Sequence, residues 1–372
     1  MIAILILIVW AVVWFMIIIG TGVLCAHVRS KYAEPYLVEP VTVLKPVRGT
    51  EQYLGTCLGS FFNMNLTNGD ELIFCAEHAD DPACDTVKRL MAQYPDVQAR
   101  LVVAPVTEEE CANPKIRSVY LPYIAHSKNR LILLSDSNVV ADKNYIQDQL
   151  SDFNSGLLTS IVRGVRPDGF VAHIEQAYMN GFLARWLVVT HIFGHPCVLG
   201  KSMLFYRPVM ETRAGGLLAV GQTLAEDYAS ARAYHKAGLP LGVARHPVAQ
   251  VIGRYRFSDY WGRHIRWGRM RKYQAPAAFM LEPLSQMVTL GAAASWATGR
   301  PSVFAVHCTV WFLLDYLVIT SLGDEMTIPL FCGWVTRECL APLLWLHAMC
   351  GSTVEWRGRA YKLGRGGAAK KV

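Results

Sequence analysis

An apolar stretch without any charged residue opens the chain and occupies residues 2–24. Its 23 residues exceed the roughly 20 that a helix needs to cross the hydrocarbon of a bilayer, so the sequence predicts a transmembrane helix within residues 1–25. A cleaved signal peptide is the alternative. No basic residues precede the stretch, however, and it is longer than the apolar part of such a peptide.

Positive charges first occur directly after this stretch, at Arg29, Lys31, Lys45 and Arg48. Because loops rich in Lys and Arg stay on the cytoplasmic side, we expect the domain that follows to face the cytoplasm. The sequence therefore predicts an integral membrane protein, either of a bacterial inner membrane or of the Golgi membrane.

A second membrane region is predicted for residues 276–372. It contains three apolar stretches, at 284–298, 302–322 and 328–350. The last two are long enough to span a bilayer, whereas the first is short, rich in Ala and Gly, and either crosses or lies in the interface. Basic residues gather after these stretches and favour a cytoplasmic tail, hence an even number of late crossings. They are Arg357, Arg359, Lys362, Arg365, Lys370 and Lys371.

Three ionisable residues, Asp315, Arg337 and Glu338, interrupt the late apolar stretches. An ionisable group at membrane depth is costly unless it is paired or near water. Two interpretations are open: a mutual ion pair inside a helix bundle, or the lining of a path for an acceptor lipid.

The charged fraction of the chain is only 17%, against about 25% in soluble proteins, and the deficit lies at the two apolar ends. The ten cysteines include no CxxC pair and no spacing typical of zinc ligands. We therefore predict reduced, mostly buried thiols in a protein that faces the cytoplasm, and neither a disulfide framework nor a zinc site.

Short apolar runs alternate with amphipathic stretches between residues 41 and 275. The runs 41–44, 71–75, 100–103 and 131–134 predict buried strands, and the stretches 53–62, 82–94 and 116–127 predict helices. Strands that alternate with helices indicate an α/β fold with a mostly parallel sheet. We therefore predict a Rossmann-like catalytic domain at residues 40–275, with ligands at the carboxyl ends of its strands.

Acidic residues follow two of the predicted strands. Asp80 and Asp81 come after the second strand, and Asp136 comes directly after the fourth. Neither glycine-rich phosphate motif, GxGxxG or GxxxxGKS/T, accompanies them, so a bound phosphate would need a metal ion or arginines. A carboxylate at a strand end can give one oxygen to Mg²⁺ or Mn²⁺ while a diphosphate supplies others. The alternative for each Asp is a helix cap.

Two later clusters add further charge. Glu226 and Asp227 lie at a predicted helix start, where acids ordinarily balance the helix dipole. Arg263 and Arg266 are three residues apart and so share one helical face, and forked guanidinium donors can grip a diphosphate. Seven cationic residues between 254 and 272 would also suit a membrane surface. We predict no nucleic acid partner.

Taken together, these residues resemble the D, D, D, (Q/R)xxRW signature of membrane glycosyltransferases with the GT-A fold. More narrowly, the chain is similar to the ceramide glucosyltransferase family over about residues 41–365. The stretches that carry the likeness are Leu44-Lys45-Pro46, Asp80-Asp81-Pro82-Ala83, Asn113-Pro114-Lys115-Ile116, Ser135-Asp136-Ser137, Ala225-Glu226-Asp227-Tyr228, Arg263-His264-Ile265-Arg266-Trp267, Phe312-Leu313-Leu314-Asp315-Tyr316, Arg337-Glu338 and Trp356-Arg357.

The resemblance implies a reaction: transfer of glucose from UDP-glucose to the primary hydroxyl of ceramide, with inversion at the sugar carbon. It implies Asp227 as the general base and Asp136 at a site for Mg or Mn. Asp81, or else Asp80, would contact the uridine half of the donor. The other implied substrate contacts are Lys45, Glu226, Cys197, Arg263, Arg266 and Trp267, of which the last three would hold the departing UDP.

Two other classes of protein stay open. One is another membrane glycosyltransferase, either a polysaccharide synthase or a polyprenyl-phosphate sugar transferase, although a synthase would need several more helices for its channel. The other is a non-catalytic scaffold that binds membrane lipids, which leaves the acids and paired arginines unexplained. The enzyme hypothesis requires Asp136, Asp227 and Arg263 to meet on one molecule of UDP-glucose, with ceramide supplied by the bilayer.

Overall fold

The computed structural model describes residues 1–30, 37, 39–195, 197–356 and 358–372. Lys31 and Arg357, two of the basic residues on which the topology prediction rests, lie outside the described residues. The chain divides into two units. The helical unit comprises residues 1–29, 166–192 and 254–372, and the sheet unit comprises residues 30–165 and 193–253.

Helices occur along the whole chain. They are α1 (Ile2–Arg29), α2 (Leu54–Phe62), α3 (Pro82–Gln93), α4 (Pro114–Leu121), α5 (Tyr145–Asp152), α6 (Phe170–Ala177), α7 (Ala184–Ile192), α8 (Arg207–Thr212), α9 (Leu217–Val220), α10 (Glu226–Lys236), α11 (Phe257–Gln274), α12 (Pro276–Leu281), α13 (Met287–Thr298), α14 (Pro301–Ser321) and α15 (Ile328–Met349). Short π-helical turns at Pro122–His126 and Tyr178–Leu183 extend α4 and α6, and 3₁₀ turns lie at Glu282–Ser285 and Arg365–Gly367.

The strands are β1 (Val41–Pro46), β2 (Glu71–Ala76), β3 (Ala99–Val103), β4 (Leu131–Ser135), β5 (Val139–Val140), β6 (Leu157–Asp168), β7 (Ser202–Tyr206), β8 (Leu241–Arg254), β9 (Thr353–Trp356), β10 (Arg359–Leu363) and β11 (Ala369–Lys371). The first eight form a mixed sheet with the order β3-β2-β1-β4-β7-β6-β8-β5. β1 to β4 run parallel to one another, and they are the four strands that the apolar runs predict. The α/β class is therefore confirmed.

The other half of this sheet is antiparallel. β7 runs antiparallel to both β4 and β6, and β5 runs antiparallel to β8. β6, β7 and β8 are not among the strands that the apolar runs predict. β8 in particular contains Arg245, His246 and Pro247, which interrupt the apolar pattern by which buried strands are recognised.

One end of the sheet gathers the loops that carry the candidate residues. Leu44 of β1 pairs in parallel with Leu134 of β4, so both strands finish at the same end. Because β7 is antiparallel to β4, it begins at that end, where Ser202 pairs with Ser135. The segment before β7 and the loops after β1, β2 and β4 therefore lie together, at the position where ligands bind in parallel α/β sheets.

Within the part of the chain that the structure describes, two helices of the helical unit are long and apolar enough to cross a membrane, α1 and α14. Both fall in predicted membrane segments. Their side chains share an apolar cluster that includes Ile17 and Trp311, while Ile4 and Leu313 are more than half exposed. Exposed apolar surface of this kind suits lipid, and the protein associates with a membrane.

α15 differs from these two helices. It is 22 residues long, but Arg337 and Glu338 lie near its centre and lower its hydropathy, so it is not one of the two candidate spans. The prediction of a span at 302–322 thus agrees with α14, whereas a span at 328–350 receives no such support. The stretch at 284–298 contains the 12-residue α13, which is too short to cross a bilayer upright.

The three ionisable residues of the late helices are buried, and each is paired. Arg185 donates to Asp315 at 2.5 Å, and the indole of Trp334 donates to the same carboxylate at 2.8 Å. Arg337 pairs with its neighbour Glu338. The predicted mutual ion pair is found for Arg337 and Glu338, whereas Asp315 pairs with Arg185, which the sequence did not indicate.

The two units do not follow the predicted domain boundaries. Residues 166–192 and 254–275, which the prediction places in the catalytic domain at 40–275, group with the helical unit. The predicted boundaries stay a prediction.

A small antiparallel sheet of β9, β10 and β11 ends the helical unit. Side chains of α11 hold it by donating to backbone carbonyls. Arg269 donates to Cys350 at 3.1 Å and to Thr353 at 2.6 Å, and Lys272 donates to Met349 at 2.5 Å. Two cations of the basic stretch 254–272 are therefore engaged within the chain itself.

Candidate active site

Asp136, which directly follows β4, lies between two lysines. Its Oδ1 is 2.7 Å from Lys115 Nζ, and its Oδ2 accepts from Lys201 Nζ at 2.8 Å. Burial alone would raise the pKa of Asp136, but the two ammonium groups hold it well below its usual range. The carboxylate is therefore ionised, and both of its oxygens have a cationic partner.

Lys115 reaches Asp136 because of how α4 begins. Asn113 caps this helix by accepting from the backbone N–H of Lys115 at 2.9 Å, and Pro114 occupies the first turn. The Lys115 ammonium then bridges Asp136 to Glu226, whose Oε1 lies 2.8 Å away. One cation thus joins the acid after β4 to the acids at the start of α10.

Asp227 lies beside Glu226 in the first turn of α10 and is partly buried. Its Oδ2 accepts from the backbone N–H of Gly200 at 3.0 Å, and its Oδ1 accepts from that of Tyr228 at 2.8 Å. Burial, followed by the charge of Glu226, raises the pKa of Asp227 to about 6. A carboxyl group whose pKa lies near the working pH is suited to accept a proton.

Gly200 lies where the segment before β7 approaches these acids. A Cβ at this position would be 3.1 Å from Glu226 Oε1 and 3.3 Å from both Asp227 Oδ2 and Lys115 Nζ. The carbonyl of Gly200 accepts from Lys115 at 2.7 Å. The close packing of this backbone against the acids therefore depends on a residue without a side chain.

Lys45, near the end of β1, is fully buried. Its Nζ donates to the carbonyl of Asp136 at 2.5 Å and lies 3.6 Å from the centre of the Phe61 ring. Burial lowers the pKa of Lys45 to about 7. In this structure Lys45 therefore supports the backbone that carries Asp136, and its predicted contact with substrate stays a prediction.

Of the two acids after β2, Asp80 is exposed and Asp81 caps α3. Asp81 Oδ1 accepts from the backbone N–H of Ala83 at 2.9 Å and from that of Gly49 at 2.7 Å. The helix-cap interpretation is therefore correct for Asp81, and the cap also ties the loop after β1 to the loop after β2. A contact of either acid with uridine stays a prediction.

The paired arginines lie on α11, in the helical unit. Arg263 lies over the ring of Trp267, 4.4 Å from its centre, and donates to the hydroxyl of Tyr255. Its Nε is 3.4 Å from the fully buried carboxylate of Glu175. Stacking and charge together fix the plane of this guanidinium.

A cavity of about 280 Å³ opens beside Arg263. Its lining is Arg254, Tyr255, Asp259, Arg263 and Arg266. Three guanidinium groups against one carboxylate give a cationic wall that suits an anion such as phosphate.

Cys197 lies in the segment before β7 and is partly buried. Its neighbour Pro196 lies outside the described residues. Cysteines of the described chain form no disulfide. A substrate contact of Cys197 stays a prediction.

The residues around Asp136 show whether a divalent metal ion could bind at the predicted position. A divalent ion there would need oxygens that Lys115 and Lys201 already contact, and it would lie close to both ammonium groups, which repel it. The described residues hold no group of three or more His, Cys, Asp or Glu side chains that could bind a metal. As folded, the side chains at Asp136 do not fit a divalent ion.

The predicted site residues fall in both units. In the sheet unit, Lys115 and Gly200 connect four of them by direct contacts: Lys45, Asp136, Glu226 and Asp227. Those of the helical unit are Arg263, Arg266 and Trp267. That the two groups meet on one ligand stays a prediction.

Sequence reasoning missed the partners of these residues. Lys115 belongs to the Asn-Pro-Lys-Ile stretch that carries part of the resemblance, so a signal was present. Lys201 and Glu175 offered none, because each lies far along the chain from the site residue that it contacts, Asp136 and Arg263 respectively.

The fold is that of the GT-A glycosyltransferases. A mannosyltransferase from Pyrobaculum calidifontis, solved in complex with GDP-Man and Mn²⁺, superposes with a TM-score of 0.52. The match covers 94% of this chain and 99% of that chain at 14% sequence identity. Divalent metal use therefore occurs within this fold class.

The family model of glycosyl transferase family 21 matches residues 7–369, and this chain belongs to that family. Among its relatives is ceramide glucosyltransferase 1 of Caenorhabditis elegans, 29% identical over 92% of this chain and 77% of the relative. The ceramide glucosyltransferase of Candida albicans is 21% identical over 88% of this chain and 87% of its own length. The resemblance stated from the motifs is confirmed, and the protein is a glycosyltransferase.

Proposed function

We propose that this chain transfers glucose from UDP-glucose to the primary hydroxyl of ceramide, with inversion at the sugar carbon. Membership of glycosyl transferase family 21 and relatives named ceramide glucosyltransferase support the glucosyl group and the acceptor. That UDP is the nucleotide of the donor follows from the resemblance of the motifs.

The observation that carries the proposal is the environment of Asp227. An alcohol is too weak an acid to ionise beforehand, so a base must accept its proton during attack. Asp227 is partly buried, is oriented by the N–H of Gly200, and has a pKa raised to about 6. Each carboxylate oxygen keeps acceptor capacity beyond one hydrogen bond, so the acceptor hydroxyl can still donate to it.

In the proposed step the hydroxyl oxygen of ceramide forms a bond to the anomeric carbon of glucose. The bond from that carbon to the phosphate oxygen breaks, and its electron pair leaves with UDP. The hydroxyl proton passes to Asp227. A single displacement inverts the anomeric carbon and needs only this one base.

The departing UDP would be held from the helical unit by Arg263, Arg266 and Trp267. The cationic cavity beside Arg263 and the stacking of its guanidinium on Trp267 support this role. Loss of one comparable donor to a leaving group typically lowers the rate about 10²-fold or more. Asp81, or else Asp80, is proposed to contact the uridine half of the donor. Lys45, Glu226 and Cys197 are proposed as further substrate contacts.

Ceramide resides in the bilayer, so an enzyme anchored there gains from proximity to it. The apolar helices α1 and α14 support such an anchor. We further propose that the sheet unit faces the cytoplasm, because basic residues follow α1. Protease digestion of sealed inverted vesicles tests this orientation: cleavage within residues 40–165 is expected, and full protection would contradict it.

The mechanism assigns no step to Mg or Mn. Asp136 is the predicted ligand for either ion, but both of its oxygens contact lysines. The proposed reaction therefore relies only on groups of the chain itself.

Product analysis tests the proposal directly. Detergent-solubilised protein is incubated with labelled UDP-glucose or UDP-galactose and with ceramide, polyprenyl phosphate or no lipid. A β-linked glucosylceramide, formed from UDP-glucose and ceramide alone, is the expected product. Transfer only to polyprenyl phosphate would support the other glycosyltransferase class, and binding of lipid without any transfer would support the scaffold.

A further inference from the structure

We propose that Lys115 and Lys201 supply the positive charge that stabilises the departing nucleoside diphosphate, so that this chain transfers sugar without a divalent metal. The inference rests on the proposed sugar transfer. It also starts from a disagreement: the fold class includes a protein solved with Mn²⁺, whereas the carboxylate predicted to bind a metal here contacts two ammonium groups.

The two lysines are built into the site by several contacts each. Lys115 contacts Asp136 at 2.7 Å, Glu226 at 2.8 Å and the carbonyl of Gly200 at 2.7 Å. Lys201 contacts Asp136 at 2.8 Å and the side-chain oxygen of Asn138 at 3.0 Å. Contacts of this kind hold an ammonium group in one place, whereas the ammonium group of a surface lysine moves with its flexible side chain.

Solvent reaches the cluster only partly. The side chains of Lys115, Lys201 and Asp136 are 11%, 21% and 23% exposed. A ligand can therefore approach the ammonium groups, while their partial burial reduces screening by water and so strengthens their attraction for an anion.

The charge of the pair matches that of the ion it would replace. Two ammonium groups carry together the charge of one divalent cation, and each has three N–H donors. As the bond from the anomeric carbon to oxygen breaks, the electron pair moves onto the phosphate. The positive charges of Lys115 and Lys201 would stabilise that oxygen electrostatically, and both ammonium groups would keep their protons and their contacts with Asp136.

Chelation of divalent metal ions tests this inference separately from the proposed function. Sugar transfer is measured with the full-length protein in EDTA, in Mg²⁺ and in Mn²⁺. Rates within about twofold of one another are expected. A loss of about 10²-fold or more in EDTA, restored by either ion, would overturn the inference and leave the proposed function intact. Absence of transfer under all three conditions would overturn the inference together with the proposed function on which it rests.

Metal binding gives a readout that does not depend on activity. Electron paramagnetic resonance of Mn²⁺ titrated into the wild-type protein with UDP is expected to show only the free ion at micromolar concentrations. Stoichiometric binding of Mn²⁺ in this range would contradict the proposal, whatever the activity of the variants.

Removal of the lysine charge tests the pair itself. Lys201→Met keeps the length of the side chain but frees one oxygen of Asp136. We expect about a 10²-fold fall of kcat in EDTA, with partial recovery in Mg²⁺ or Mn²⁺ and new binding of Mn²⁺. Lys201→Arg should recover activity in EDTA because it restores the charge.

Lys88→Met is the matched control. The side chain of Lys88 is 62% exposed on α3, and this substitution should leave both the rate and its independence of metal unchanged. Full activity of a folded Lys201→Met variant in EDTA would overturn the proposal.

Discussion

The sheet unit and the helical unit each contain a cluster of acids and cations, but the two clusters are built differently. In the sheet unit the cations are lysines, Lys115 and Lys201, and two of the acids, Asp136 and Asp227, remain partly exposed. In the helical unit the cation is Arg263, and its acid, Glu175, is completely buried. One cluster can therefore meet a ligand with its acids, whereas the other can do so only with its guanidinium groups.

The partners of the two clusters differ in the same way. Lys115 is held by oxygens of Asp136, Glu226 and Gly200, all of which are hydrogen-bond acceptors. Arg263 is held by an aromatic face, Trp267, and by a phenol, Tyr255. An ammonium acts as a point charge, whereas a guanidinium is planar and directional. The binding of a ligand is therefore controlled by charge in the cluster of the sheet unit and by the geometry of the guanidinium in the cluster of the helical unit.

Asp227→Asn should have the largest effect. The amide keeps the shape of the carboxylate but cannot accept the acceptor proton, so kcat should fall about 10³-fold while UDP-glucose binding is retained. Steady-state kinetics and equilibrium binding check this. The control Asp85→Asn, at a side chain that is 86% exposed on α3, should behave as wild type, and undiminished transfer by Asp227→Asn would refute the base.

Arg263→Lys should have the next largest effect, because it keeps the positive charge and removes the planar guanidinium group. We expect kcat/KM to fall about 10²-fold. The control is Arg256→Lys, at a side chain that is 84% exposed. Wild-type kinetics for Arg263→Lys would show that charge alone matters in the helical unit as well, and the contrast between the units would be lost.

The pH dependence of the rate should reflect the charges around Asp227 in the sheet unit. Because Asp227 acts only when ionised, and burial and Glu226 raise its pKa to about 6, kcat/KM should fall about tenfold per pH unit below this value. Glu226→Gln should move this acid limb to lower pH, since it removes the charge that raises the pKa. A limb that stays in place would exclude Glu226 as the cause.

The same shift has a consequence for stability. A carboxyl group whose pKa is raised on folding stabilises the folded state in its protonated form. The contribution of Asp227 is complete below its unfolded value of 3.8 and is lost as the pH rises through about 6. Thermal unfolding of wild type and Asp227→Asn across this window should therefore diverge in favour of the variant as the pH rises.

Gly200→Ala should have the smallest effect. The added methyl would crowd Glu226, Asp227 and Lys115 at 3.1 to 3.3 Å and force small shifts that cost about 1 kcal/mol. We expect kcat to fall roughly fivefold. Gly55→Ala is the control, because its nearest neighbour would be 3.8 Å away. Equal kinetics for the two variants would show that the spacing at Gly200 does not matter.

The parallel strands and α10 could be predicted because their signals are local. β1 to β4 are short continuous apolar runs, and α10 begins at Glu226, where the adjacent acids indicate a helix start. The long antiparallel strand β8 could not be predicted in this way, because its pattern is interrupted by polar residues such as Arg245.

The candidate acids could also be selected from sequence, but their partners could not. Asp136 and Asp227 follow from strand and helix ends together with the family resemblance. The lysine on each side of Asp136 depends on α4 and on the segment before β7 arriving at the same end of the sheet. That arrival is a property of the topology, because β7 runs antiparallel to β4.

The anchoring of the last strands on α11 bears on how the protein can be handled. Arg269 and Lys272 hold the chain where it leaves α15, and Arg266 lies over the ring of Trp356, 5.9 Å from its centre. A purification tag or a reporter protein attached after Val372 would disturb the helix that carries Arg263, because the last strands are held by that helix. Placing such additions within an exposed loop of the sheet unit spares that helix.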